Sequence, residues 1–398
     1  MFRRWFAGIP RPVWILGLVS LFADLSSELV YPIIPIFLTV TLGAPATAVG
    51  VTEGVAEATA NLTRLVSGRW SDRAHMRKPF VIAGYALATL GKVILCVAPA
   101  WGFAVAGRAV DRFGKGIRTA PRDALLADFT TPTDRGRLFG FHRSFDSMGA
   151  VGGPLIGLAF IALAGGHLRW AIALAIVPGV ISVLILRWLP ERRPPDTSET
   201  SANGLRTLPL RFWLFLAVVV LFMAGNSSDA FLILRAKDVG LSTTLAVLAY
   251  VVYNVVYTLG AFPAGVLSDH VPRPLLVLGG YLVFVLVYLG FAKMESGWPV
   301  WPLMALYGLY IAATDGVIRA FVADLAPEAL RSSALGVFQG ATGLMVLAAS
   351  ITAGVLWDRV SPAAPFYLGA SCAAAAAVLM AVLLVSIERP PKGRRASL

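Results

Sequence analysis

The sequence predicts an all-α integral membrane protein of twelve transmembrane helices, arranged as two parallel six-helix halves. Three observations carry that reading. The 398 residues are 57% hydrophobic and only 14% charged, whereas a soluble domain carries about 25% charged residues. Twelve apolar stretches reach the length of about 20 residues that a helix needs to cross a bilayer. And the chain repeats itself at about half its length, a sign that outranks local patterning when a fold is assigned.

The spans are expected, in order, at 13–40, 46–68, 79–98, 100–127, 137–164 and 168–189, then at 210–236, 243–267, 274–292, 299–324, 332–357 and 363–387. The first begins close to Met1-Phe2-Arg3-Arg4 and superficially resembles a signal peptide. It is too long, contains Asp24 and Glu28, and lacks an Ala-x-Ala site, so it reads as span 1. The segment from Pro190 to Gly204 is polar and rich in Pro and Ser, as a linker should be. The expected division is therefore an N-terminal half over 1–190, a linker over 191–209, a C-terminal half over 210–388 and a basic tail over 389–398.

Loop charge sets orientation. Twenty Lys and Arg residues fall in loops and tails on the side of the termini and five on the other. Both termini are expected in the cytoplasm and the protein in the inner membrane. This placement also accounts for the net charge of +12 without a nucleic-acid partner; the basic loops face anionic lipid.

The repeat is visible in residues. Gly68-Arg69-Trp70-Ser71-Asp72-Arg73, followed by Arg77-Lys78, lies between spans 2 and 3. Gly265-Val266-Leu267-Ser268-Asp269-His270 lies between spans 8 and 9, 197 residues further on (68 to 265, 72 to 269). Ala127-Asp128 recurs as Ala323-Asp324, and Ser26-Ser27-Glu28 as Ser227-Ser228-Asp229. With six spans per half the second copy starts on the same side as the first, so the repeat is parallel.

Ionisable residues inside a span are costly and turn toward the bundle interior or water. Spans 6, 9 and 12 carry none in their apolar cores, and span 3 only Lys92. Spans 3, 6, 9 and 12 should therefore lie outermost, with the others around a polar interior. Residues three, four or seven apart share a helix face. That places Asp24 with Glu28, Glu53 with Glu57, and makes Arg108, Arg112 and Lys115 a basic stripe on span 4. The expected cavity residues are these three with Arg143, Asp146, Asn226, Asp229, Tyr253, Asn254, Tyr257, Asp315, Arg319 and Gln339. The plainer reading of any one of them is a packing ion pair. For the set it is weaker, because the charge exceeds what packing needs.

Taken together these features resemble the major facilitator superfamily over the whole chain. The family's loop between spans 2 and 3 is matched by Gly68, Asp72, Arg73, Arg77 and Lys78, and partly again by Gly265 and Asp269; His75 stands where the family has its second glycine. The resemblance implies a gating role for Asp72 between the two halves. Span 5 holds Gly149, Gly153, Pro154 and Gly157, a pattern similar to the antiporter signature of drug and proton exchangers, with Leu158 in place of the last glycine. Its plainer use is close helix approach. The Arg-x-x-x-Gly motif of drug exporters is matched on span 4 only at Arg108, since Arg112 takes the glycine position.

The expected function is secondary active transport, as export of a small organic molecule in exchange for protons. The alternatives are a proton-coupled importer or facilitator of an anionic solute, and a lipid flippase. A carboxyl group removed from water holds its proton more tightly, and a nearby cation opposes this. Asp24 and Glu28 are therefore the first candidates for proton coupling and Glu53 and Glu57 the second, since Arg64 shares the helix of Glu57. An enzyme is not expected: His75, His142, His167 and His270 are scattered, and no nucleophile or phosphate-cradling motif occurs. Cys96 and Cys372 both lie in apolar runs, so no disulfide framework is implied. No cofactor or metal is implied, and the partners expected of a monomer are the solute, protons and the bilayer.

Overall fold

The structure, a computed structural model, describes residues 9–74, 76–129, 135–163, 167–191, 208–327 and 330–388. Most of the linker, the basic tail and His75 lie outside the described residues, as do several side chains within helices. Among the described residues the regular structure is helical throughout. Span 1 is an α-helix over Arg11–Val30 that continues through tighter and wider turns to Thr41, around Pro32 and Pro35. Spans 2 to 6 are Ala46–Arg73, Lys78–Val97, Trp101–Asp128, Arg135–Leu163 and Leu168–Ile185. Spans 8 to 12 are Thr243–His270, Arg273–Lys293, Val300–Leu325, Arg331–Arg359 and Ala364–Glu388.

Span 7 departs from expectation. It is two helices, Leu210–Gly225 and Ala230–Asp238, separated by Asn226-Ser227-Ser228-Asp229. The related Ser26-Ser27-Glu28 of span 1 stays helical. The difference lies just upstream. Gly225-Asn226 removes helix propensity where Asp24-Leu25 keeps it, and Asn, Ser and Asp bond local backbone in place of the helix ladder. Ser228 accepts from the Ala230 N–H through its hydroxyl, while its own N–H donates to Ser350 of span 11.

Among the described residues, ten of the spans, the broken span 7 taken as one, are long and apolar enough to cross a bilayer on their own composition. The two that fall short are spans 2 and 4, which carry most of the buried charge and can be accommodated only inside the bundle.

The halves are built alike. Span 1 packs on spans 5 and 6, span 2 on span 4, and span 3 on spans 4 and 6; spans 7, 8 and 9 repeat those partners with spans 10, 11 and 12. The turns after spans 1 and 7 both hinge on a glycine with positive φ, Gly43 at 62° and Gly240 at 96°, again 197 residues apart (43 to 240). Spans 3, 6, 9 and 12 present Leu90, Val177, Leu286 and Val378 outward as exposed apolar side chains. The halves meet mainly where span 2 packs on span 11 and span 5 on span 8.

A central charged cavity

A cavity of about 700 Å³ lies between the halves, lined from spans 1, 2, 4, 5, 7, 8, 10 and 11. Its lining reaches Arg122 and Asp123, close to the end of span 4 at Asp128, and Arg319, close to the end of span 10 at Leu325. It therefore extends toward the side of the termini. The opposite side is sealed by direct contact of spans 2 and 11. The Ala46 and Thr47 N–H groups donate to the Asp358 carboxylate at 2.9 and 2.8 Å, and the Thr47 hydroxyl donates to it at 2.5 Å. The carboxylate thus caps the start of a helix in the other half, where exposed N–H groups and the helix dipole both favour negative charge. Glu28 of span 1 accepts from the Tyr250 hydroxyl of span 8 at 3.0 Å, and the Tyr31 and Tyr250 rings lie 5.4 Å apart.

The charged residues of the first half fall into two groups. The first is a closed network. Glu53 takes two N–H groups of Arg108, at 3.0 and 2.7 Å. Asp111 takes Arg108 at 3.1 Å and Lys92 at 3.0 Å, and stands 3.5 Å from Arg112. All five residues are buried. Lys92, the one charge expected in span 3, is thus turned inward onto span 4. Spans 3 and 4 approach closely enough for this because a Cβ on Gly91 would come within 2.5 Å of the Asp111 N and the Gly107 O.

The second group faces the cavity. Asp24, Glu28, Glu57, Arg112, Lys115 and Asp146 line it from the first half, and Asn226, Asp229, Asp315, Arg319 and Gln339 from the second. Glu57 accepts from Asn61 at 3.1 Å, Asp146 stands 3.8 Å from His142, and Arg319 pairs with Asp315. Asp229, at the break in span 7, accepts from the Tyr307 hydroxyl at 2.6 Å. The side chains of Asp24 and Lys115 make no hydrogen bond or ion pair among the described residues.

The placement differs from expectation at several residues. Arg108 was expected in the cavity but lies in the closed network, because Glu53 and Asp111 converge on it. Glu53 lines the cavity with its carboxylate already occupied by Arg108. Tyr253, Asn254 and Tyr257 stand behind the wall. Asn254 donates to the Tyr250 carbonyl, and the Tyr253 ring lies 5.4 Å from Tyr250 and 5.3 Å from Tyr307. The side chain of Arg143 lies outside the described residues. So do those of Gly68, Asp72, Arg73 and Asp269 at the ends of spans 2 and 8, and Gly265 is exposed. Arg77 pairs with Asp128, and the N–H groups of Arg77 and Lys78 donate to Glu191 at 3.0 and 3.1 Å. Arg273 pairs with Asp324 in the second half, at the same 196-residue offset from both partners (77 to 273, 128 to 324).

The span 5 glycines serve close approach. A Cβ on Gly149 would lie 2.7 Å from the Asp24 Cβ, one on Gly153 2.8 Å from the Leu29 N, and one on Gly157 3.1 Å from the Leu29 O. The motif therefore holds span 1 at the two carboxylates that face the cavity. Asp358, Thr47, Tyr307 and Tyr310 were not singled out by the sequence. Tyr307 and Tyr310, three apart on span 10, offered a signal in their spacing, whereas Asp358 offered none.

The family model described as Major Facilitator Superfamily matches residues 16–235 and 214–398. An uncharacterised MFS-type transporter of Methanocaldococcus jannaschii is 34% identical over 379 residues, covering 94% of each chain. The multidrug resistance protein MdtH of Edwardsiella ictaluri is 30% identical over 152 residues, 38% of each chain. Among solved structures, a mutant of the nucleoside transporter NupG superposes with a TM-score of 0.79 at 14% identity, covering 94% of this chain and 100% of that one. A POT family transporter in complex with 5-aminolevulinic acid gives 0.79 at 13%, covering 96% and 98%. At such identity the likeness concerns the fold alone. With the family model covering nearly the whole chain and a full-length relative above 30% identity, this chain is a member of the major facilitator superfamily.

Proposed function

We propose that the protein is a proton-coupled secondary transporter that moves a small polar organic solute by alternating access, with export in exchange for protons as its direction. The observation that carries the coupling is the Glu28–Tyr250 hydrogen bond at 3.0 Å. It joins a titratable group of one half to the other half at the sealed end of the cavity. Protonating Glu28 changes that contact, so the charge on one residue biases the choice between two packings. Asp24, one turn away on the same wall, is the second coupling residue. The charged lining favours a polar solute over a lipid chain. Export is supported by the span 5 glycine pattern and by the partial similarity to MdtH. A second reading, uptake or facilitated passage of an anionic solute, is supported by the basic face of span 4. The count of loop charges supports an inner-membrane protein with cytoplasmic termini, and so a cavity open to the cytoplasm. The resemblance supports Asp72 as a gating residue.

The test is transport in proteoliposomes with an imposed pH gradient. Glu28→Gln and Asp24→Asn should each abolish gradient-driven accumulation while leaving exchange between equal compartments measurable. If both single variants still concentrate solute against its gradient, the coupling site lies elsewhere. The sign of the gradient that drives accumulation separates exchange from co-transport.

A further inference from the structure

We infer that the transported solute carries an anionic group, a carboxylate or a phosphate, and that Lys115 and Arg118 of span 4 hold it. This rests on the transport reading and adds the solute's chemical class.

The basic face of span 4 is divided. Toward the sealed end, Arg108 and Arg112 are served by Glu53 and Asp111. Further along the same face, Lys115 lines the cavity, and its ammonium has no hydrogen bond or ion pair among the described residues. Arg118, one turn on, also lines it and is 3% exposed, and its Nε and Nη1 are buried without a hydrogen-bond partner. Its guanidinium lies 3.9 Å from the centre of the Tyr85 ring. Stacking on an aromatic face fixes the plane of the fork and leaves its edge to bind oxygen.

Nearby carboxylates do not supply that oxygen. Asp24, Glu57 and Glu28 act on Lys115 through space, yet none comes within ion-pair distance of either cation. Glu28 and Glu57 already accept from Tyr250 and Asn61. A buried cation without an oxygen partner is expensive. In the same helix Arg108, Arg112 and Arg122 do have such partners, so the bundle is able to provide them and, among the described residues, at Lys115 and Arg118 does not. An ammonium beside a guanidinium fork matches an oxyanion, the first as a point charge and the second as a two-toothed donor.

The test is thermal unfolding of the full-length protein in detergent, since a ligand that binds the folded state raises its stability. The probes are succinate, benzoate, glycerol 3-phosphate and inorganic phosphate, each at millimolar concentration. Succinamide, benzamide and glycerol are the uncharged counterparts, and choline is the cationic control. At least one anion should raise Tm where its uncharged counterpart does not; which anions do so separates carboxylate from phosphate recognition. Lys115→Gln should weaken that anion by about tenfold or more, the size of one charge-assisted hydrogen bond, and Lys115→Arg should restore most of it. The proposal is overturned if no anion raises Tm, if an uncharged counterpart or choline does so equally, or if Lys115→Gln responds as the parent does. Should Lys115→Gln not fold, Arg118→Lys and the parent's discrimination between charged and uncharged probes decide it. Binding is read here without transport. An anion that binds but is not carried in vesicles counts against the transport reading, and a carried solute that ignores Lys115 counts against the site.

Discussion

At the scale of single residues, this bundle contains two kinds of buried charge that differ in what surrounds them. Asp111 accepts from Lys92 and Arg108 and faces Arg112, so it is the common counter-charge of three cations. Asp111→Asn would leave Lys92 and Arg112 without their counter-charge in a buried site, while Arg108 keeps Glu53. Removing one partner of such a network typically costs about 3–5 kcal/mol. The variant should unfold several degrees below the parent in detergent, read by tryptophan fluorescence. Lys115→Gln should unfold close to the parent, because it removes a charge that has no ion-pair partner among the described residues. Equal losses in the two variants would contradict the division of span 4 into a structural and a cavity-facing part.

At the scale of elements, spans 1 and 5 decide where Asp24 and Glu28 stand. The approach between them depends on the absence of side chains at Gly149, Gly153 and Gly157. A Cβ on Gly153 would sit 2.8 Å from the Leu29 N and 2.9 Å from the Leu25 O. Those neighbours are backbone atoms of a helix and cannot rotate aside. Gly153→Ala should therefore cost about 1–3 kcal/mol through overpacking, with transport falling because Glu28 shifts with its helix. Gly102, where an added Cβ meets nothing within 4 Å, is the control, and Gly102→Ala should leave both Tm and transport unchanged. Span 7 makes the complementary point. Its break places Asn226 and Asp229 on the cavity, where irregular backbone is tolerated at membrane depth because it borders a polar space.

At the scale of the whole molecule, the two halves are joined by contacts that must open if the cavity is to reach the other side. Asp358 accepts three hydrogen bonds from the start of span 2. A hydrogen bond to a charged group contributes about 1.5–3 kcal/mol, and 1.4 kcal/mol is a tenfold change in a two-state equilibrium. Asp358→Ala should raise the population open on the far side of the bundle. Spin labels at the exposed positions Val40 and Val360, one in each half at that end, would report it as a longer-distance component. An unchanged distance distribution would exclude Asp358 as a latch. The pairs Arg77–Asp128 and Arg273–Asp324 stay within their own halves, so they brace each half as it moves and do not need to break.

What the sequence settled by itself is whatever local composition and period determine. The apolar stretches located the helical segments with ends within a few residues, because in lipid every backbone group must be satisfied inside its own segment, though ten of them are apolar enough among the described residues and span 7 breaks in two. The repeat from Gly68 to Gly265 gave the two-fold build, and the lack of charge in spans 6, 9 and 12 gave their outer place. Spacing also showed which charges share a face of span 4. It could not show which of them were already paired. Arg108 and Lys115 are both basic residues on that face, and their roles divide because Glu53, fifty-five positions from Arg108, reaches the first and no carboxylate among the described residues pairs with the second. Tertiary structure likewise decided that the span 5 glycines pack on Asp24 and Glu28, that Tyr250 closes over Glu28, and that Asp358 caps a helix of the other half. Each of these is a contact between distant parts of the chain, and contact distance across a bundle is set by how helices pack, which no single helix encodes.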